Sequence, residues 1–310
     1  MNILVILPPA LYDVVSSTAL LRCVHRQVAD AQLHVVVPEQ LAFVLEANPA
    51  INRLVPVKEL HTNLSPQQYD LVMDVAHLEE NEHWAAAAGI SYLSFKKPSL
   101  WSGVFEWFRK KRKQYTAMDM VRLAQPIGVQ YDGGGLDYFI APAHQVPQQD
   151  VPAAHSAGFV ALALGHAVTI QPEVLCHFCT QLQFPIIITG GKALHDAAQS
   201  LTEVDNIKVY NACGKFTDAE SADLLRRARA VVSGDAGWIQ VAAAFAKPVV
   251  ACYAGKEAAV ELTPFYATTA NGGKAPGFEL VSTNSNAAAN EHAATGARMV
   301  QLVNGLLAKK

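Results

Sequence analysis

The sequence predicts an α/β protein built of two doubly wound, Rossmann-like domains facing a cleft. Three observations predict it. The chain has 310 residues, more than one simple hydrophobic core serves and comfortable for two. In both halves, short β-branched runs alternate with segments of helical spacing. The runs are continuously apolar rather than alternating, as in parallel strands covered on both faces.

In the first half, strand runs cover residues 3–7, 33–37, 71–75 and 90–95. The first is broken by Pro8-Pro9, and a helix that includes residues 14–28 opens at Asp13. In the second half the runs cover residues 159–164, 185–189, 207–210, 230–233 and 248–253. Helical spacing marks residues 21–28, 172–181, 219–228 and 239–245. Strand–helix–strand order implies right-handed parallel crossovers. Residues 141–157 carry Pro142, Pro147 and Pro152 with little periodic hydrophobicity, so they read as a linker. The expected domains are residues 1–150 and 151–310. Residues 287–308 read as one or two Ala-rich helices, interrupted at Gly296 and Gly305, with room to pack back on the first domain.

Composition narrows the function. Hydrophobic residues are 51% and charged residues 16%, a globular balance. Lys and Arg number 24 against 27 Asp and Glu, a net charge of −3, which argues against a nucleic-acid partner held by bulk positive charge. No apolar run reaches the roughly 20 residues of a membrane span, and the opening stretch reads as a strand rather than a signal peptide. Five cysteines, an odd count on a long chain, suggest reduced thiols and a cytoplasmic location.

Four places could carry chemistry. Asp13 stands at the strand end where α/β enzymes put reactive groups. It reads either as a general base or as a helix N-cap, and capping would lower its pKa. The turn Ser233-Gly234-Asp235-Ala236-Gly237 precedes a helix, whose free N–H groups suit a diphosphate. Asp235 there orders the loop or caps the helix, and Ala236 and Gly237 permit close approach. Gly190, Gly191 and Lys192 follow a strand and read as a simple turn or as a place of ligand approach, with Lys192 in reach of a phosphate. The spacing is not that of a Walker loop. The stretch 96–113 holds seven cations and one Glu, including Lys96, Lys97, Arg109, Lys110, Lys111 and Arg112. Trp101, Phe105 and Phe108 share one helical face. It could lie at a membrane surface, grip an anionic acceptor, or be a solvated helix with its aromatics in the core.

Cys176 and Cys179 have C-x-x-C spacing without a second pair, which favours buried thiols over zinc. H-E-x-x-H, G-x-S-x-G and an early G-x-G-x-x-G are absent from the sequence, as is an Asp-x-Asp metal clamp. No metal and no cofactor is therefore expected.

These pieces fall in one familiar order. The chain resembles glycosyltransferase family 9, the lipopolysaccharide heptosyltransferases of GT-B fold. The resemblance is carried by Ile3-Leu4-Val5-Ile6, Tyr12-Asp13-Val14-Val15 and Thr18-Ala19-Leu20-Leu21-Arg22. In the second half it is carried by Ile187-Ile188-Thr189-Gly190-Gly191, Asn211-Ala212-Cys213-Gly214-Lys215, Gly234-Asp235-Ala236-Gly237 and Phe245-Ala246-Lys247-Pro248. It implies an inverting transfer of a sugar, such as heptose, from a nucleotide sugar, such as ADP-heptose, to a lipid-linked or envelope glycan. Asp13 matches the family's base. Gly190, Gly191, Lys192, Asp235, Ala236, Gly237 and Gln240 fall on the donor side, and the basic stretch on the acceptor side. The resemblance further implies an anionic glycolipid or glycan partner and a peripheral contact with the inner membrane.

The sequence departs from the family at four points. Tyr12 stands for the Gly before the base, Ala236 for a Thr and Gln240 for a His. The element after residues 159–164 lacks the family's cation, for which His166 or Lys192 could substitute. Two other readings stay open: an inactive binding protein of the same fold, and a nucleotide-sugar epimerase.

Overall fold

A computed structural model describes residues 1–95, 115–165, 170–253, 262–268, 276–283 and 289–308. The chain forms two units, Met1–Phe139 and Ile140–Lys310.

The first unit contains β1 (Asn2–Ile6), α1 (Leu11–Gln27), β2 (Gln32–Val37), β3 (Arg53–Pro56), β4 (Leu71–Asp74), α2 (Glu79–Ala87), β5 (Ser91–Ser94) and α3 (Ala117–Leu123). Its sheet is parallel, in the order β3-β2-β1-β4-β5. Ile3, Leu4 and Val5 of the central strand are fully buried, which is why β1 reads as an unbroken apolar run. The chain winds from β1 to β2 and β3 on one side, then returns to lay β4 and β5 on the other. The winding reverses between β1 and β4, where the carboxyl ends of strands leave a crevice in such sheets.

The apolar periodicity predicts neither β3 nor β11, introduced below. β3 is an edge strand of four residues in which only Val55 is buried, and it ends at Pro56. It is held from outside the ladder as well: the Leu33 N–H donates to Asn52 Oδ1 at 2.8 Å.

Helix α1 is buried along most of its length, from Tyr12 to Val24. That burial includes polar residues: the Ser16 hydroxyl is enclosed without a hydrogen-bond partner, whereas Ser17, Thr18 and Arg22 are partnered. Ser17 and Thr18 donate to the carbonyls of Val14 and Val15, both at 2.7 Å. The Arg22 guanidinium makes a two-pronged bond to Asp132 at 2.9 and 2.8 Å, an ion pair with Asp137 at 2.8 Å, and a bond to the Gly135 carbonyl. Two carboxylates thus offset the cost of burying one cation. In turn, Arg22 holds the Asp132 carboxyl well below the usual carboxylate range.

The second unit contains β6 (Val160–Ala163), α4 (Pro172–Gln181), β7 (Ile186–Thr189), α5 (His195–Thr202), β8 (Val209–Asn211), α6 (Asp218–Arg227), β9 (Ala230–Ser233), α7 (Ala236–Ala244), β10 (Val249–Tyr253), β11 (Phe278–Ser282) and α8 (Ala289–Ala308). Its parallel sheet has the order β11-β10-β9-β6-β7-β8, so its winding reverses between β6 and β9. Phe178 of α4 and Met299 and Val303 of α8 are fully buried with Val160, Leu162, Ile186, Ile188, Val232 and Val250 in one core.

Three expectations change here. Residues 141–157 are not a free linker. They form three short 3-10 turns tied to the second unit: the Val146 N–H donates to Asp223 at 3.0 Å, and Arg227 donates to the Val146 carbonyl. His155 is buried, its Nε2 lying 3.1 and 3.0 Å from the Ile186 and Lys208 carbonyls. Segment 207–210 becomes a three-residue strand, because Asp205 caps the N–H groups of Ile207 and Lys208 and turns the chain first. The C-terminal segment is one continuous helix, packed on α4 and the β9–β11 edge of its own unit. Gly296 does not interrupt it. A Cβ there would lie 2.7 Å from His177 Cβ and 3.0 Å from the Val174 carbonyl, so glycine is what lets α8 approach α4.

Among the cysteines, Cys23, Cys179, Cys213 and Cys252 are buried and free, while Cys176 is free and exposed, unlike the buried pair expected. Burial pushes the Cys179 thiol up to about 12, which makes it a poor nucleophile or ligand.

Candidate functional site

In the first unit, β1 delivers the chain to α1, and Asp13 is the third residue of that helix. The helix is preceded by Ala10, which makes no side-chain cap, and Asp13 itself does not cap it. Asp13 is only 6% exposed, and burial pushes its pKa up to about 7. Both the position of the carboxyl and the direction of its shift are opposite to those of a capping aspartate. A carboxyl that exchanges its proton near neutral pH can serve as a general base.

The neighbouring strand end holds a residue that the sequence reading passed over. Asp74, the last residue of β4, is fully buried. It accepts from the His77 and Leu78 N–H groups at 2.9 and 3.0 Å, from Asn81 Nδ2 at 3.0 Å and from the Tyr92 hydroxyl at 2.8 Å. Burial and this carboxylate together push the Tyr92 phenol up, so it stays a donor. Asp74 therefore organises the loop leaving β4. No motif marks it, because its side-chain partners, Asn81 and Tyr92, come from α2 and β5, up to 18 residues away.

In the second unit, the predicted glycines meet at the carboxyl edge of the sheet. The Gly191 N–H donates to the Gly165 carbonyl at 3.1 Å, and the Gly214 N–H to the Gly190 carbonyl at 3.0 Å. These bonds tie the loops after β6, β7 and β8 together. Gly165 has φ +67, and a Cβ on it would stand 2.4 Å from Asp235 Oδ2. The loop after β6 thus presses directly on the loop after β9, at the point where the winding reverses. Ser233 adds a second tie, donating to the Ala163 carbonyl at 2.7 Å and accepting from the Asp235 N–H at 3.0 Å.

Asp235 caps α7 by accepting from the Trp238 N–H at 3.0 Å. This is the ordering role read from the sequence. Ala236 is half-buried and Gly237 is buried at the first turn. Lys192 is exposed on the loop after β7, and no described carboxylate engages its ammonium. Gln240 is committed elsewhere: its Nε2 donates to the Thr263 carbonyl at 2.9 Å, and its Oε1 accepts from the Phe265 N–H at 3.0 Å. It is 1% exposed, and its amide clamps residues 263–265. The sequence places Gln240 among donor-binding residues because it falls on a motif position, and the tertiary partner of that position is invisible in the motif.

Lys96, Lys97, Arg109, Lys110, Lys111, Arg112 and His166 lie outside the described residues. Among the described residues, no group of three His, Cys, Asp or Glu side chains is placed to hold a metal ion, and no helix is long and apolar enough to cross a membrane.

Residues 173–272 match the family model of glycosyltransferase family 9 (heptosyltransferase). The resemblance to family 9 holds. No curated protein matches the chain. Among solved structures, an E. coli ADP-heptose LPS heptosyltransferase II is similar over 100% of this chain and 99% of its own, with 16% identity and a TM-score of 0.70. A glycosyl transferase family 9 protein from Veillonella parvula is similar over 100% and 97%, with 17% identity and a TM-score of 0.70. The E. coli heptosyltransferase WaaC with ADP is similar over 99% and 100%, with 18% identity and a TM-score of 0.66. At these identities the likeness concerns the fold: two doubly wound α/β units of GT-B type, as the sequence predicts.

Proposed function

We propose that this family 9-like chain is an inverting glycosyltransferase. It moves a sugar, heptose from ADP-heptose in our reading, onto a hydroxyl of a cell-envelope glycan or lipid-linked acceptor. The observation that carries the reading is Asp13, a buried carboxyl at the switch point of the first sheet that titrates at about 7. In its ionised form it accepts the proton of the attacking acceptor hydroxyl as the new glycosidic bond forms at the anomeric carbon. The bond to the nucleoside diphosphate breaks as that bond forms, and the configuration inverts.

The second unit supplies the leaving-group side. The loops after β6, β7, β8 and β9 are bonded to each other, and Asp235 fixes the start of α7, so the backbone N–H groups there are pre-set for a diphosphate. Lys192 adds an exposed cation on the same edge. The nucleotide is thus held by backbone N–H groups and one exposed charge, with no metal required in the scheme. The basic stretch 96–113 meets the anionic acceptor, and with it the inner face of the membrane.

One observation favours a second reading. The Gln240 amide, at a position the family gives to the donor site, bonds Thr263 and Phe265 instead. A chain of this fold that binds a glycan without transferring sugar would tolerate that change. The test is transfer from a panel of nucleotide sugars to deacylated inner-core lipopolysaccharide, alongside calorimetry with ADP. Transfer that disappears in Asp13→Asn supports the enzyme. No transfer by the wild-type chain together with no ADP binding supports the binding protein.

A further inference from the structure

We propose that His77 is an acceptor-binding residue, whose imidazole Nε2 takes a hydrogen bond from a sugar hydroxyl at the carboxyl edge of the first sheet. The inference rests on the transferase reading for the identity of the ligand, but not for the chemistry of the site.

The argument begins with the backbone. His77 has φ +56, in the left-handed region that side chains rarely adopt. Glycine would occupy it at lower cost, so the imidazole is kept there against a local preference. The residue is not loose. Its N–H donates to Asp74 Oδ1 at 2.9 Å, and Asp74 Oδ2 ties down the next residue, Asn81 and Tyr92.

The ring is fixed by a second chain of bonds. The Ser94 hydroxyl donates to the Asp74 carbonyl at 2.9 Å. That hydroxyl has one proton, so its 2.8 Å contact with His77 Nδ1 is a bond that the ring donates and the serine accepts. The Nδ1–H form follows, and in the neutral ring Nε2 is then a lone-pair acceptor. Among the described residues nothing donates to it, and it is not among the enclosed polar atoms. The result is a half-buried, oriented acceptor nitrogen reachable from solvent.

Its place matters as much as its chemistry. β4 pairs with β1 through Ile6 and Asp74, and the Val75 N–H donates to the Ile6 carbonyl at 2.9 Å. His77 therefore leaves the sheet beside the strand whose following helix carries Asp13, at the same switch point and the same edge. An acceptor-only nitrogen selects a ligand that brings a proton, such as a sugar hydroxyl, over a fully ionised phosphate oxygen.

The test uses the full chain labelled with 15N-histidine. Long-range 15N–1H spectra, with the His77 signal identified by its loss in His77→Gly, are expected to show the Nδ1–H form. Addition of deacylated inner-core lipopolysaccharide is expected to shift Nε2. In the transfer assay His77→Gly is expected to raise the acceptor KM by roughly tenfold, the worth of one hydrogen bond, with the donor KM within twofold. Its thermal midpoint is expected to stay close to the wild-type value, because relief of the left-handed backbone offsets the lost bond to Ser94. That separates a lost contact from a lost fold. An unmoved Nε2 signal, or an acceptor KM unchanged in His77→Gly, overturns the proposal. If the wild-type chain transfers no sugar, the transferase reading fails, and the Nε2 signal alone decides for or against His77.

Discussion

Replacing Asp13 by Asn removes a buried ionisation while keeping the shape of the side chain. In the folded chain the Asp13 carboxyl titrates at about 7, and in an unfolded chain at its ordinary 3.8. Below pH 4 it is protonated in both states and costs nothing. Between pH 4 and 7 the folded chain binds the extra proton, so stability falls as pH rises. Above pH 7 the full cost of the buried charge is present, roughly 4 kcal/mol as an upper bound before water and side chains relax around it. Asp13→Asn is therefore expected to match the wild type near pH 4 and to exceed it by about 2–4 kcal/mol at pH 8. Urea unfolding of both chains at half-unit pH intervals measures this, and the difference cancels the other titrating groups. A stability difference that is flat between pH 4 and 8 would show that the carboxyl is not buried as described. Transfer should show the complementary dependence: kcat/KM of the wild type falls as pH drops below about 7, where the base is protonated, and Asp13→Asn removes the activity across the range.

Arg22→Met removes the ion-pair partner of Asp137 and leaves Asp132 with Arg26 and the Gly134 N–H, and about 3 kcal/mol of stability, the low end for a broken buried pair, should be lost in urea unfolding. Arg22→Lys should recover little, since an ammonium cannot reproduce the two-pronged bond to Asp132. The depressed Asp132 carboxyl also makes the wild type lose this stability as pH falls below about 4, a loss that should be smaller in Arg22→Met, where Arg26 and the Gly134 N–H still face the carboxylate. Gly165→Ala forces a Cβ against Asp235 at φ +67, so it should displace the α7 cap, destabilise the chain by about 1–3 kcal/mol and weaken ADP binding by calorimetry. Gly296→Ala drives a methyl group into α4 and should lower stability by about 1–3 kcal/mol, whereas Gly305→Ala, with open space around it, should raise the midpoint slightly.

The strands at the centre of each sheet are legible in the sequence because both of their faces are covered. Ile3, Leu4 and Val5, or Val231 and Val232, leave no polar face to interrupt the run. Edge strands lack that signature. In β11 only Val281 is buried, and its partner β10 supplies the rest of the information. The same logic hid α2, which buries only Asn81 and Ala85 and so shows no apolar stripe.

By itself the sequence determined that two α/β units would form and that Asp13 and the Asp235 turn would stand at strand ends. Both follow from local periods and turn residues. Tertiary structure decided what those residues are. Whether Asp13 caps a helix or titrates near neutral pH depends on what lies around its carboxyl, and the surroundings are buried chain rather than N–H groups. Whether Gln240 faces a ligand depends on residues 263–265, which no spacing near Gln240 encodes. His77 carries no motif at all: its ring meets Ser94 of β5 and its N–H meets Asp74 at the end of β4. Burial and hydrogen-bond partnership are properties of chain segments brought together from a distance, and they fix protonation and direction where residue type alone fixes only capacity.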